Sequence, residues 1–136
     1  MGDVTGGCLC GAVRYMLKSA PTNVVVCHCT HCQKVSGSAF STNALIAENA
    51  LAIEGEWASF PDPSDSGAIL NRCFCPRCGS SIFSRPANRP GVLILKVGTL
   101  DDHSSLQTAA LQIWTRSRQP WVKFAADVPG FEKGRT

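Results

Sequence analysis

The eight cysteines constrain this chain of 136 residues more than any other feature, because all of them fall in three short segments. The segments read Cys8-Leu9-Cys10, Cys27-His28-Cys29-Thr30-His31-Cys32 and Cys73-Phe74-Cys75-Pro76-Arg77-Cys78-Gly79. Cysteines two or three residues apart reach disulfide geometry only with strain, whereas they readily direct two thiolates at one metal ion. The spacing therefore favours metal binding over a disulfide framework.

The last segment has the pattern of a metal-binding knuckle, since Cys75 and Cys78 form a CxxC pair followed by glycine. In such a knuckle the backbone bends until both thiolates face one ion. A closed tetrahedral site takes four ligands, often as two pairs from separate parts of the chain. The second pair could come from the first segment, as Cys8 and Cys10. By spacing alone, the first two cysteines of the middle segment could supply it equally well.

The middle segment places Cys27, Cys29 and Cys32 within six residues, so one loop can hold all three thiolates around a single ion. Three protein ligands leave a fourth tetrahedral position open, as in reactive zinc sites. A thiol that enters this position loses its proton at neutral pH and becomes a good nucleophile. This segment is therefore the candidate catalytic site.

Three residues near these clusters have more than one interpretation: Cys73, His28 and His31. Any of them could complete the shell of the middle segment, in which case the ion only stabilises the fold. We expect the two histidines to contact the metal ligands from outside the shell or to face solvent. Cys73 would share one face of an extended strand with Cys75, yet a buried core cysteine fits as well, and we leave it outside the site.

Turn-forming residues separate short runs of strand-like sequence, which span 12–17, 23–27, 40–46, 51–53, 68–74, 92–97 and 111–115. Helical periodicity is scarce, and we predict one helical turn at 30–35, capped by Thr30 and ended by Gly37. The segments 61–67 and 84–91 are rich in proline and other turn formers, which predicts surface loops. The chain is therefore predicted to be an all-β domain of short antiparallel strands.

The length fits one domain. Hydrophobic residues make up 44% of the chain and charged residues 17%, a composition with enough apolar side chains for a folded core. We expect residues 1–136 to form a single domain with its core at about 7–125. The remaining residues, 126–136, contain Pro129, Gly130 and Gly134, and we expect a flexible tail that frays from Val128.

The charge and the apolar runs restrict the partners and the compartment of the protein. The net charge is +3, and the arginines and lysines of the C-terminal half are scattered singly, which argues against a nucleic-acid partner. No apolar run approaches the ~18 residues of a membrane-spanning helix, and the N-terminus lacks the basic and apolar regions of a secretory signal. We expect a cytoplasmic protein with reduced cysteines and no membrane contact.

At these motifs the chain resembles the glutathione-dependent formaldehyde-activating family, which includes the centromere protein V type domains. The matching stretches follow in the same order: 7–13, 27–32 with 36–38, 72–80, 98–102, and Ile113-Trp114 leading to Gln119-Pro120-Trp121. The resemblance extends from about Gly7 to Trp121, which is nearly the whole chain.

The resemblance implies a β-tent fold with two zinc ions per chain. It assigns the structural zinc to Cys8, Cys10, Cys75 and Cys78, and the catalytic zinc to Cys27, Cys29 and Cys32. It also implies a carbon-sulfur lyase whose partners are a thiol, glutathione or another, and formaldehyde or a related aldehyde. The alternative function is a zinc-stabilised binding module without catalysis.

Residues outside the clusters offer weaker indications. Many relatives have a histidine before the Ile-Trp pair, where this chain has Gln112, which cannot act as a titrating acid or base. Arg72 or Arg116 could hold a carboxylate of glutathione as a bidentate pair, although a surface arginine is the simpler expectation. Ser36 and Ser38 could contact substrate, although serine beside glycine is typical of turns.

Overall fold

The computed structural model describes residues 4–64 and 67–134, in which short strands predominate. The strands are Val4–Gly7 (β1), Arg14–Leu17 (β2), Asn23–Cys27 (β3), Ser41–Ala47 (β4), Leu51–Glu54 (β5), Ala58–Pro63 (β6), Ile69–Phe74 (β7), Ser81–Pro86 (β8), Val92–Lys96 (β9) and Thr108–Ile113 (β10). The α-helix is Thr30–Ser36 (α1), and 3-10 turns occupy Glu48–Ala50, Val97–Thr99 and Thr115–Ser117. The predicted all-β class with little helix is confirmed.

The strands form two sheets. The smaller sheet has the order β1-β2-β5, and the larger has the order β10-β3-β4-β9-β8-β7-β6. Neighbouring strands are antiparallel except β10 and β3, which run parallel. Strand β3, which ends at Cys27, therefore lies between two partners, and its backbone is held on both sides.

The larger sheet has one apolar and one polar face, because successive side chains of a strand point to opposite sides. Ala44, Phe83 and Leu95 oppose one another across three strands and belong to the buried core with Tyr15 and Leu17 of the smaller sheet. The other face, called the polar face below, carries Ser41, Asn43, Lys96, Ser84 and Arg72. Helix α1 contacts β4 beside this polar face.

All seven predicted runs overlap a strand, but β1, β6 and β8 were not predicted. Both predicted loops are partly strand, since 61–63 belong to β6 and 84–86 to β8, so these two boundaries are wrong. Strand β6 lies at the edge of its sheet, which is where prolines are tolerated within a strand. Positions 65 and 66 of the first predicted loop lie outside the described residues.

The helical turn predicted at 30–35 is confirmed as α1, but its cap differs. Cys29 rather than Thr30 is the N-cap, and its Sγ accepts the backbone N–H of Cys32 at 3.2 Å. Gly37 ends the helix, as predicted, with φ at 61° in the left-handed region. Within residues 4–64 and 67–134, no helix has the length and apolar character needed to cross a membrane.

The C-terminal segment runs beside the outer edge of β10. The backbone N–H of Gln112 donates to Pro129 O at 2.8 Å, and the N–H of Phe131 donates to Gln112 O at 2.9 Å. These bonds satisfy backbone groups at an edge that would otherwise be unpaired. The flexibility expected for 126–136 stays a prediction, and positions 135 and 136 lie outside the described residues.

We expect Phe83→Ala to lower the free energy of unfolding by about 3–5 kcal/mol, because the phenyl ring is 1% exposed and its removal leaves a core cavity. Urea denaturation of the variant measures this loss. Phe60→Ala, at a ring that is 57% exposed, is the matched control and should cost less than about 1 kcal/mol. Equal losses in the two variants would contradict the placement of the core.

Candidate metal centres

The first cluster joins the cysteines near the N-terminus to the knuckle that follows β7. The sulfur atoms of Cys8, Cys10, Cys75 and Cys78 all lie within 4.8 Å of one another. The Sγ of Cys10 lies 3.7 Å from that of Cys8 and 3.8 Å from that of Cys75. Four sulfurs placed tetrahedrally at about 2.3 Å from one ion would be about 3.8 Å apart, whereas a disulfide needs about 2.05 Å. The geometry therefore fits a tetrahedral metal ion and no disulfide.

Local hydrogen bonds shape the knuckle. Gly79 has φ at 81° and donates its N–H to Cys75 O at 2.8 Å, which closes the turn. The hydroxyl and the backbone N–H of Ser80 donate to the Cys78 sulfur and lower the pKa of that thiol to about 5. Ser80 Oγ also accepts the N–H of Leu9 at 3.0 Å, which ties the two segments together. The knuckle thus favours the thiolate form that metal ions bind.

The second cluster lies where β3 passes into α1. Its three residues, Cys27, Cys29 and Cys32, are 6%, 8% and 6% exposed, and their sulfurs lie within 4.8 Å of one another. Cys29 caps the helix with its sulfur, which holds Cys29 and Cys32 on the same side of the first turn. Within residues 4–64 and 67–134, no histidine, carboxylate or further cysteine joins this group.

The three sulfurs of the second cluster compete for protons. Hydrogen bonds from Cys27 and Cys29 lower the pKa of Cys32, whereas hydrogen bonds with Cys29 and Cys32, together with burial, raise the pKa of Cys27. Three thiolates this close cannot all be charged unless a cation lies among them. The donor set, three soft sulfurs, suits a zinc ion rather than a magnesium or calcium ion.

The histidines of this segment contact other residues. The His28 ring is fully buried against Phe40 and Phe124, and its Nε2 lies 2.9 Å from Gln112 Oε1. Because the amide oxygen only accepts, Nε2 carries the proton, and Gln112 is a structural partner of this ring. His31 Nδ1 lies 2.8 Å from a carboxylate oxygen of Asp62, which links α1 to the edge strand β6.

Cys73 belongs to neither cluster. It is 2% exposed within the core, its Sγ lies 3.8 Å from Asn71 O, and burial raises the pKa of its thiol. The irregularity in the pairing of β7 with β8 lies in β8, where Ile82 has no partner, so β7 keeps its alternation, and Cys73 and Cys75 both lie in the buried core. The sequence analysis left Cys73 outside the site, which agrees with its place in the buried core.

The sequence model of the family described as glutathione-dependent formaldehyde-activating enzyme matches residues 3–117. The chain belongs to this family. A crystal structure of a Rhodobacter sphaeroides protein, a structural genomics target, has a TM-score of 0.59 with this chain at 18% identity, and the match covers 77% of this chain and 96% of that one. At this identity the likeness shows a common fold. Membership of the glutathione-dependent formaldehyde-activating family supports a glutathione-dependent aldehyde-activating or related function.

In this member of the formaldehyde-activating family, a line of hydrogen bonds on the polar face begins opposite Cys27. Ser41 pairs with Cys27 across the strands and accepts a hydrogen bond from Asn43 Nδ2 at 2.9 Å. Lys96 Nζ donates to Asn43 Oδ1 at 2.7 Å. The charge of Lys96 contributes to the low pKa of Cys32, after the larger effect of the neighbouring thiols. Lys96 thus places a positive charge near the three sulfurs.

Arg72 is buried beside the same cluster, so the expectation of a surface arginine is wrong. Its side chain is 5% exposed, and Nε donates to Asp62 Oδ2 at 2.7 Å. Burial acts to lower the pKa of the guanidinium, but the bond to Asp62 and the charge of Cys32 raise it. Among the described residues, Nη1 is buried without a hydrogen-bond partner. Arg116, by contrast, lies exposed in the last 3-10 turn.

Trp114 packs against the three cysteines in a strained conformation. Its φ is 58°, a left-handed value that bulky side chains rarely adopt. Its backbone N–H donates to Lys133 O at 3.2 Å. Such strain persists only where the surrounding structure holds it, and it is common at functional sites. The C-terminal segment therefore helps to hold the indole next to the sulfurs.

Sequence reasoning did not find Asp62, Asn43, Ser41 or Lys96. Lys96 ends a strand, VLILK, whose other residues are apolar, and this was the one signal available. No local pattern indicates a buried role for Asp62, because it lies between two prolines in a segment whose composition is typical of an exposed loop.

We expect a reduced, purified chain to hold about two zinc ions, measured by elemental analysis. Cys75→Ser and Cys29→Ser should each remove one ion, because each replaces a sulfur ligand of a different cluster. Cys73→Ala is the matched control and should retain both ions. A loss of zinc in Cys73→Ala, or two ions in Cys29→Ser, would contradict the assignment of the clusters.

We expect Asp62→Asn to lower the free energy of unfolding by about 3 kcal/mol, because it leaves the buried Arg72 charge without a carboxylate. Chemical denaturation of the zinc-loaded variant gives this value. Asp101→Asn removes the partner of Arg14 in a pair that is 45% and 46% exposed, and it should cost less than about 1 kcal/mol. Equal losses of unfolding free energy in the two variants would show that the buried pair contributes no more to stability than the exposed pair.

Proposed function

We propose that this chain promotes the addition of a thiol, glutathione in the first instance, to formaldehyde or a related small aldehyde. The product is a hydroxyalkyl thioether, and the reverse reaction is that of a carbon-sulfur lyase. The main support is the group of three buried cysteine sulfurs, Cys27, Cys29 and Cys32, which has no fourth protein donor among the described residues. Membership in the family supports the choice of thiol and aldehyde.

The two clusters would have different roles. When bound by Cys27, Cys29 and Cys32, a zinc ion would supply an open position at which a thiol loses its proton. The other cluster has four sulfurs, from Cys8, Cys10, Cys75 and Cys78, and would hold a structural zinc ion with a closed shell.

The charges around the three sulfurs suit an anionic thiolate. Three thiolates and a divalent cation sum to a charge of about −1, which Lys96 offsets. Arg72 and Asp62 form a neutral pair. The incoming thiolate, a fourth one, therefore enters surroundings that carry no net negative charge, which lowers the cost of bringing it there.

Arg72 would stabilise the oxygen of the aldehyde. The thiolate sulfur attacks the carbonyl carbon, a carbon-sulfur bond forms, and the π electron pair moves to the oxygen. Arg72 Nη1, which is buried without a partner among the described residues, would donate a hydrogen bond to this oxygen. Solvent then supplies the proton that completes the hydroxyl, because Gln112 has no titratable group.

The same chemistry favours a reducing compartment. All eight cysteines are free thiols in the structure, and metal binding requires them reduced. We therefore place the protein in the cytoplasm, where thiols are kept reduced.

Exchange NMR of glutathione with formaldehyde tests the proposed activity. The fully zinc-loaded protein should accelerate exchange between free and hydroxymethylated glutathione, and removal of zinc by a chelator should abolish the effect. No acceleration by protein with two zinc ions per chain would contradict the proposal and would favour the zinc-stabilised binding module.

We expect Arg72→Lys to lower the exchange rate about 100-fold at saturating glutathione, because lysine keeps the charge near Asp62 but lacks the Nη1 donor. Zinc content and the affinity for glutathione should not change. Arg85→Lys is the matched control, since Arg85 pairs with Glu48 in a bridge that is 43% and 44% exposed. A full rate in Arg72→Lys would exclude this role of Nη1.

A further inference from the structure

A pocket of about 220 Å³ opens between α1 and the strands β6 and β7, and the proposed function uses only one of its residues, Arg72. The pocket is lined by Val35, Phe60, Arg72, Phe74, Gly79 and Ser81. Val35 and Phe60 are 45% and 57% exposed and form the mouth, whereas Arg72 is buried and forms the floor. The pocket therefore joins an apolar, solvent-facing entrance to a buried cation.

Strand pairing places two phenyl rings beside Arg72. Phe60 lies opposite Arg72 in the pairing of β6 with β7, and Phe74 follows Arg72 by two residues on the same strand. Side chains at these positions lie on one side of a sheet. Both rings therefore belong to the same surface of the sheet as the guanidinium, and they form apolar walls next to it.

Arg72 also connects this pocket to the three-cysteine cluster. Burial acts to lower the pKa of its guanidinium, whereas hydrogen bonds and charge interactions with Asp62 and Cys32 raise it. Val35, at the opposite wall, follows Cys32 by three residues in α1, so the two side chains are neighbours on one side of the helix. A molecule whose polar end reaches Arg72 therefore lies beside a residue that contacts the Cys32 sulfur.

The floor suits a neutral group that accepts hydrogen bonds. Nη1 of Arg72 is buried without a hydrogen-bond partner among the described residues, and a guanidinium can only donate. The carboxylate of Asp62 already balances the charge of Arg72, since Nε donates to Oδ2 at 2.7 Å. A second carboxylate would be buried without a counter-charge, which is costly. A carbonyl oxygen therefore fits the floor better than an acid does.

The volume and the walls restrict the rest of the ligand. An apolar cavity of about 150 Å³ is large enough for benzene. The pocket, at about 220 Å³, therefore has room for an aromatic ring and a carbonyl group together. Rings such as those of Phe60 and Phe74 also pack favourably against another aromatic ring. Formaldehyde has no substituent and would leave these walls without contact.

We propose that this pocket holds the ring of an aromatic aldehyde, whose carbonyl oxygen accepts a hydrogen bond from Arg72 Nη1. The ring packs against Val35, Phe60 and Phe74. The aldehyde in this assignment rests on the proposed function, whereas the ring and the neutral acceptor follow from the pocket itself. The addition is unchanged: the thiolate sulfur bonds to the carbonyl carbon, the π electron pair moves to the oxygen, and solvent protonates that oxygen.

Benzamide is the probe for the pocket, because it has the ring and the carbonyl oxygen of benzaldehyde but does not add a thiol. Its dissociation constant is measured by NMR titration of the zinc-loaded full chain. Phe60→Ala should raise this constant about tenfold, because one wall of the pocket is lost. Met16→Ala, at an apolar side chain of the smaller sheet that is 46% exposed, is the matched control and should bind as the unchanged protein does.

Two further ligands test the chemistry of the pocket. Benzoate has the shape of benzamide and a negative charge, and it should bind more weakly. Formamide lacks the ring and should not bind measurably at millimolar concentration. Tighter binding of benzoate would indicate an anion site and overturn the carbonyl assignment. No binding of benzamide at millimolar concentration, or equal binding by Phe60→Ala and the unchanged protein, would overturn the pocket as a ligand site.

The exchange reaction separates failure of this inference from failure of the proposed function. Phe60→Ala should lower kcat/KM for benzaldehyde about tenfold more than it lowers kcat/KM for formaldehyde, because only benzaldehyde contacts the wall. Acceleration with formaldehyde and none with benzaldehyde would support the proposed function and overturn the aromatic substrate. Benzamide binding that needs Phe60, with no acceleration for either aldehyde, would exclude the proposed function and overturn the aldehyde assignment.

Discussion

Crowding of thiol sulfurs is the constraint on which the rest of this structure depends. Sulfur atoms 3.7 to 3.8 Å apart in one cluster, and three buried sulfurs in the other, cannot all be charged without a cation among them. The first cluster joins residues after β1 to the knuckle after β7, and the second joins the end of β3 to α1. Metal binding would therefore be coupled to folding of both sheets.

The larger sheet separates two kinds of interaction. Its apolar face forms the core with the smaller sheet, and its polar face carries Arg72 and Lys96 toward the second cluster. Buried cations are costly unless they are paired, and Asp62 and Asn43 provide the partners. Relative to apolar residues of the same volume, a buried ion pair adds little to stability, although the removal of one partner is costly. The charge of the sulfurs beside these groups explains the arrangement more easily.

The apolar runs and the turn-forming residues between them were enough to predict seven strands and helix α1, and the cysteine spacing was enough to predict clusters that could bind metal. The edge strand β6 was missed because its prolines indicate a loop, although an edge position tolerates them. The burial of Arg72 and the contact of His28 with Gln112 depend on packing between distant segments, which no local pattern records.

The visible spectrum of the cobalt-substituted chain tests the central claim, that one cluster is closed and the other has an exchangeable position. The account predicts two equivalents of cobalt with sulfur ligands, and a spectrum in which glutathione changes the bands of one equivalent only. Cys29→Ser should lose the band that responds and keep the other. A spectrum that glutathione leaves unchanged at millimolar concentration would contradict the account.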